Sequence, residues 1–166
     1  VTVNVIRRES PVLATYPDKK TADGWAQSPM YIGGGGGIPG TTLYYKIARP
    51  PIIYLFDDQN TESLKCATLH EAGHILDYIF QGGLLNKIVP ESQPANLLSS
   101  THDWKTIHAT ELQQRILADS RFSVESYNIK ETFAQSFSAY FLHHDAMQKN
   151  APMSTQYIAN VIASFG

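Results

Sequence analysis

The sequence predicts an α+β domain, with a short twisted sheet on its N-terminal side and helices through its C-terminal part. Three observations carry that expectation. Short β-branched and aromatic runs (1–6, 41–47 and 51–56) fall in the first third of the chain, the last of them bounded by prolines on one side and Asp57-Asp58 on the other. Beyond Asn60, apolar residues recur with a period near 3.6 in long stretches. The chain has 166 residues, of which 43% are hydrophobic and 17% charged, a size and balance suited to a single domain, 1–166, around one core.

Taken in order, Val1-Thr2-Val3-Asn4-Val5-Ile6 alternates apolar and polar residues and reads as a strand. Ser10 to Gln27 carries Pro11, Pro17 and Gly24 and reads mostly as loop. Ser28-Pro29-Met30-Tyr31-Ile32 then leads into five consecutive glycines, Gly33 to Gly37. A phosphate cradle would need Gly-Lys-Ser/Thr to close that run, and the next lysine is Lys46, so a mobile flap is the reading. Thr41 to Ile47 is a second strand and Pro51 to Phe56 a third, which stops at Asp57-Asp58-Gln59-Asn60.

Asn60 or Thr61 can cap the helix that follows, Glu62 suits its positive end, and Gly82-Gly83 supply the stop. Leu84 to Ser100 reads as loop. A helix from Asp103 to Asp119 keeps Trp104, Ile107, His108, Leu112 and Ile116 in phase, and Arg121 to Asn128 connects it to the next. A long helix runs from Ile129 to about Asp145, with Phe133, Phe137, Tyr140 and Phe141 facing the core. The last amphipathic helix starts near Ser154 and uses Tyr157, Ile158, Val161, Ile162 and Phe165.

Composition removes several classes of function. A formal net charge of −2 without any Lys/Arg block disfavours nucleic acid or an anionic membrane as the main partner. No apolar run approaches the length of a bilayer span. The chain begins at Val1 without methionine, so it is expected to be a processed mature protein with any signal segment out of view. One cysteine, Cys66, allows neither an internal disulfide nor a cysteine-based zinc knuckle, and a buried thiol is its expected role.

The chemistry concentrates in His70-Glu71-Ala72-Gly73-His74. Residues four apart on a helix share a face, so His70 and His74 can bind one zinc ion. Glu71 stands next to the first of them, where a carboxylate can take a proton from water at the metal without ligating it. Gly73 costs about 1 kcal/mol relative to alanine inside a helix, which points to a close approach by another element.

Hydrolytic zinc takes three protein ligands and keeps a position open. The metzincin arrangement would need glycine at 77 and histidine at 80, where this chain has Asp77 and Phe80. Periodicity leaves three candidates. Glu131 opens a helix whose face continues through Ala134, Gln135 and Ser138, small or polar residues that allow it to pack on the helix bearing Gly73. Glu111 and Asp77 are the rivals, although Asp77, on the same helix as the histidines, suits orienting an imidazole or a neighbouring segment. His102, His108, His143 and His144 have no ligand partner at helical spacing and read as solvated or capping residues.

His70 to Asp77, together with Glu131-Thr132-Phe133-Ala134-Gln135-Ser136-Phe137-Ser138-Ala139-Tyr140, resembles the catalytic core of the Pro-Pro endopeptidases. These are secreted bacterial zinc proteases related to the anthrax lethal factor catalytic domain. Gly24-Trp25, the strand from Thr41 and Trp104-Lys105-Thr106-Ile107 are also similar to segments of that family. The resemblance implies a small zincin-like metalloprotease domain, one Zn2+ ion, peptide-bond hydrolysis and Glu131 as the third ligand. It further implies a secreted, extracellular bacterial protein acting on protein or peptide, including proline-rich segments, and the chain is expected to be a monomer.

Asp77 and Gln135 would then stand behind the ligands. The family has a glutamate where Gln135 stands, and Val124 occupies the position of its catalytic tyrosine, so Tyr127 is the candidate oxyanion donor. Thr41, Leu43 and Tyr44 lie on the strand expected to pair with an extended substrate, and Tyr31 and Ile32 are the candidate wall of its binding site. The rival readings are a zinc-containing, non-catalytic surface or toxin-binding module, and a zinc hydrolase of cell-wall peptides.

Overall fold

The structure, a computed structural model, describes residues 2–19, 24–27, 30–33, 45–49, 51–82, 97–112 and 128–164, with residues 30–33, 45–49 and 78–82 described by their backbone. Five strands lie within them: β1 Thr2–Ile6, β2 Gly24–Gln27, β3 Met30–Gly33, β4 Tyr45–Arg49 and β5 Ile52–Phe56. So do six α-helices: α1 Val12–Thr15, α2 Thr61–Gly82, α3 His102–Ile107, α4 Ile129–Leu142, α5 His144–Asn150 and α6 Pro152–Ala163. This is the expected α+β class.

β5 is the centre of a three-stranded sheet, with β1 parallel on one side and β2 antiparallel on the other. β3 and β4 form a separate antiparallel pair. Side chains alternate across a strand, so Ile53 and Leu55 point to one face and Tyr54 and Phe56 to the other. Ile53 and Leu55 meet Ile75 of α2 in one apolar cluster, with Ala26, Leu64, Ala67 and Ala72 packed around it. On the opposite face Trp25 stacks on Tyr54 with ring centroids 4.6 Å apart, and Leu13 of α1 and Phe56 complete a second cluster. β5 is therefore apolar on both faces, as its unbroken Ile-Ile-Tyr-Leu-Phe run requires.

The helices pack on a third cluster built on Trp104, Phe133, Leu98 and Ile158, with the Trp104 ring edge-on to Phe133 at 5.2 Å. Three of the helices begin where a side chain takes up a free amide. The Asn60 side chain accepts from Ser63 N at 2.9 Å to start α2, and that of Asn128 accepts from Lys130 N at 3.1 Å to start α4. Thr101 caps α3 by accepting from Trp104 N at 3.2 Å.

Gly73 is where α2 and α4 touch. A Cβ added there would lie 2.8 Å from Ala134 Cα and 3.1 Å from Phe137 Cβ. The first neighbour is backbone and cannot swing aside. Gly73→Ala is therefore expected to prise the two helices apart, at about 1–3 kcal/mol of stability. The urea midpoint should fall with an unchanged slope. An unaltered midpoint would mean that the helices part without cost.

Several elements differ from the expectation. The stretch read as loop between Ser10 and Gln27 contains α1, a 3-10 turn at Pro17–Lys19 and the strand β2. Its prolines sit at helix and turn starts, where no amide hydrogen is needed. The helix expected from Asp103 begins at His102 and passes at His108–Leu112 into a π-helical turn; its continuation to Asp119 lies outside the described residues. The long helix expected to reach Asp145 ends at Leu142, where His143 leaves helical geometry at φ −142° and ψ 42°. That break turns α5 back so that Met147 joins the core. Cys66 is exposed rather than buried: it lies beside α4, where Ser138 Oγ donates to its carbonyl at 3.3 Å and reaches its Sγ at 3.8 Å.

Candidate metal centre

α2 presents His70 and His74 one turn apart, and the first turn of α4 brings Glu131 against them. His70 Nε2 lies 3.1 Å from Glu131 Oε2, His74 Nε2 lies 3.3 Å from the same oxygen, and the two Nε2 atoms are 3.1 Å apart. Three potential ligand atoms thus form a nearly equilateral triangle. The three side chains keep 21%, 16% and 33% of their area exposed, so the triangle is open on one side to water.

That geometry fits a bound cation. A tetrahedral zinc with bonds of about 2.0–2.1 Å holds its ligand atoms about 3.3–3.4 Å from one another, close to each side of this triangle. Two imidazole nitrogens and one carboxylate oxygen, with a face left for water, also suit zinc better than calcium or magnesium, which prefer all-oxygen shells. Among the described residues this is the group of three such side chains close enough to hold a metal.

The electrostatics agree. Hydrogen bonds from His70 and His74 hold the Glu131 carboxyl far below the usual glutamate range. Burial alone would lower the His74 pKa, but the hydrogen bond and charge of Glu131 carry it above the ordinary value. Glu71 is 8% exposed, and burial raises its pKa against the opposing charges of His70 and His74. A raised carboxyl is a stronger base, as proton abstraction from water requires. Facing the same carboxylate, the Ala26 backbone amide on β2 also opposes that rise.

The rival ligands are elsewhere. Asp77 is buried, and its two oxygens accept from Ser99 N at 2.8 Å and Ser99 Oγ at 2.7 Å. It fastens the segment entering α3 to the back of α2, the second of the two roles expected of it. Glu111 accepts from Met153 N at 2.9 Å and from Ser154 N at 2.8 Å and Ser154 Oγ at 2.6 Å. It caps α6, which has no capping side chain of its own. Gln135 stands one turn beyond Glu131 with a buried Oε1.

Tyr127, Thr41, Leu43, Tyr44 and Val124 lie outside the described residues, and Tyr31 and Ile32 are placed as backbone on β3. His144 is exposed beside Asp145, and His143 ends α4. His108 stands at the C-cap of α3, and its Nε2 is buried. Sequence reasoning missed β2 beside Glu71. Small Gly24 and Ala26 alternating with Trp25 and Gln27 were its signal, obscured by the neighbouring prolines.

The family model described as anthrax toxin lethal factor, N- and C-terminal domain, matches residues 48–161. The chain belongs to this family. The match takes in α2, α3 and α4 and therefore the whole triangle. The lethal factor family is one of zinc-dependent metalloproteases related to toxins and typically secreted. No curated protein matches the chain. Among the described residues no helix is long and apolar enough to cross a membrane.

Proposed function

We propose that this lethal-factor family chain is a single-domain, zincin-like secreted zinc endopeptidase that cuts extended protein segments, with a Pro-Pro preference. The observation that carries the reading is the His70–His74–Glu131 triangle with a buried Glu71, its pKa raised by that burial, beside it. A purely structural metal site has no use for that base.

Zinc held by His70, His74 and Glu131 would supply a Lewis acid for the scissile carbonyl and lower the pKa of water. Glu71 takes the proton from the attacking water and returns it to the leaving amine. Tyr127, which directly precedes the α4 cap Asn128, is the proposed donor to the developing oxyanion. Tyr31 and Ile32 on β3, with Thr41, Leu43 and Tyr44 from the segment before β4, are the proposed substrate contacts. Asp77 and Gln135 support the ligand-bearing helices from behind, and the protein acts as a monomer.

Profiling the zinc-loaded protein on a combinatorial peptide library tests this. Internal cleavage that stops on chelation, with proline on both sides of the cut, is the expected result. Cleavage without proline would remove the Pro-Pro preference alone. Inactivity on peptides with activity on purified muropeptides would replace the reading by a cell-wall hydrolase, and inactivity on both by a non-catalytic module.

A further inference from the structure

We infer that Gly24 is a positioning residue for Glu71: its bare backbone lets strand β2 close on the carboxylate and hold it beside the histidines. The inference rests on Glu71 acting as the base. It concerns a segment outside the family match, which begins at residue 48.

The face alternation of β2 sets up the contact. Trp25 and Gln27 are buried on the sheet face away from α2, while Ala26 packs in the cluster under α2. Gly24 and Ala26 share that second face, since side chains two apart point the same way. The register agrees, pairing Gly24 with Leu55 and Ala26 with Ile53, both of the α2 cluster. β2 is the edge of its sheet, so one side of its backbone is bonded to β5 and the other is available to α2.

Glycine weakens a strand interior, so its presence needs a reason. Backbone conformation is not the reason, because Gly24 does not adopt the left-handed φ that favours glycine. Space is. A Cβ there would lie 2.9 Å from the Tyr54 carbonyl oxygen, 3.1 Å from Leu55 Cδ2 and 3.7 Å from Glu71 Cγ. The tightest neighbour is the backbone of β5, which cannot rotate away, and the base stands on the open side. A side chain at 24 must therefore lift β2 off β5. The lift carries the Ala26 amide, two residues on, away from the carboxylate it faces. Glu71 would lose the β2 backbone that packs beside it, while the histidines and Glu131, on α2 and α4, would keep their places.

The test compares Gly24→Ala with wild type and with Leu13→Ala, which opens a cavity on the opposite face of the same sheet. Gly24→Ala is expected to lower kcat by about tenfold or more, the scale of a misplaced catalytic group, with KM within about twofold of wild type. Zinc per chain should stay at the wild-type value, and a crystal structure of the variant should show the Glu71 carboxylate displaced. Leu13→Ala should lose thermal stability yet keep wild-type kcat, separating seating from stability.

An ester in place of the Ala26 amide removes the donor without added volume, and should reproduce the loss of kcat if Gly24→Ala fails to fold. Wild-type kcat in Gly24→Ala, or an unmoved Glu71 in its crystal structure, overturns the inference. Wild-type protein that cleaves no peptide overturns the hydrolase reading instead, and the position of Glu71 in the variant then decides the seating by itself.

Discussion

Glu71→Ala is expected to lower peptide hydrolysis by on the order of a hundredfold or more, the scale of a lost general base, with zinc content and fold close to wild type. The separation follows from geometry. His70, His74 and Glu131 form the metal-sized triangle, and Glu71 is not one of its corners. Truncation also removes a buried carboxyl whose ionised form burial disfavours, so stability should hold or rise slightly. Kinetics on a peptide selected from the library, beside zinc analysis and a thermal melt, would check all three. Undiminished hydrolysis would end the proposed mechanism, and a large loss of zinc would make Glu71 a ligand instead.

The pairing of the candidate metal ligands was legible in the sequence because a helix makes spacing into geometry. Once Thr61–Gly82 is one helix, His70 and His74 must share a face, whatever the rest of the chain does. Gly73 foretold the close packing of α4 for the same reason: a costly residue mid-helix marks contact. Glu131 could be ranked by periodicity but not placed, since its distance from the histidines depends on how two helices cross. Resemblance to a family supplied what spacing did not.

The parts that were not legible depend on partners far apart in the chain. Nothing local in the sequence says that Glu111 receives the amides of Met153 and Ser154, or that Asp77 receives Ser99. β2 was hidden differently. Its four residues are shorter than a reliable alternation pattern, and Pro11, Pro17 and Gly24 signalled loop around it. The end of α4 at His143 has no glycine or proline to mark it, and arises because Met147 of the next helix must reach the core.

Glu131→Gln and Glu111→Gln should fail in opposite ways, although both exchange one glutamate for its amide. Glu131 Oε2 is the corner shared by both imidazoles, at 3.1 and 3.3 Å, so its replacement removes the anionic ligand and its charge. Even residues behind a ligand typically cost 10–100-fold in metal affinity, so Glu131→Gln should cost on the order of a hundredfold or more. Its stability without metal should change little, because the side chain is one-third exposed. Glu111 is 6% exposed and its oxygens accept three hydrogens from Met153 and Ser154. An amide group there must point a donor at one of those donors. The loss should be about 2–4 kcal/mol, from one or two broken hydrogen bonds and an unsatisfied buried amide. For a domain of this size each kcal/mol moves Tm by about 2–4 °C. Zinc retention after dialysis against a mild chelator, read beside the melting temperature of the metal-free proteins, separates the two. Glu111→Gln that loses zinc at an unchanged Tm, with Glu131→Gln keeping it, would exchange their roles.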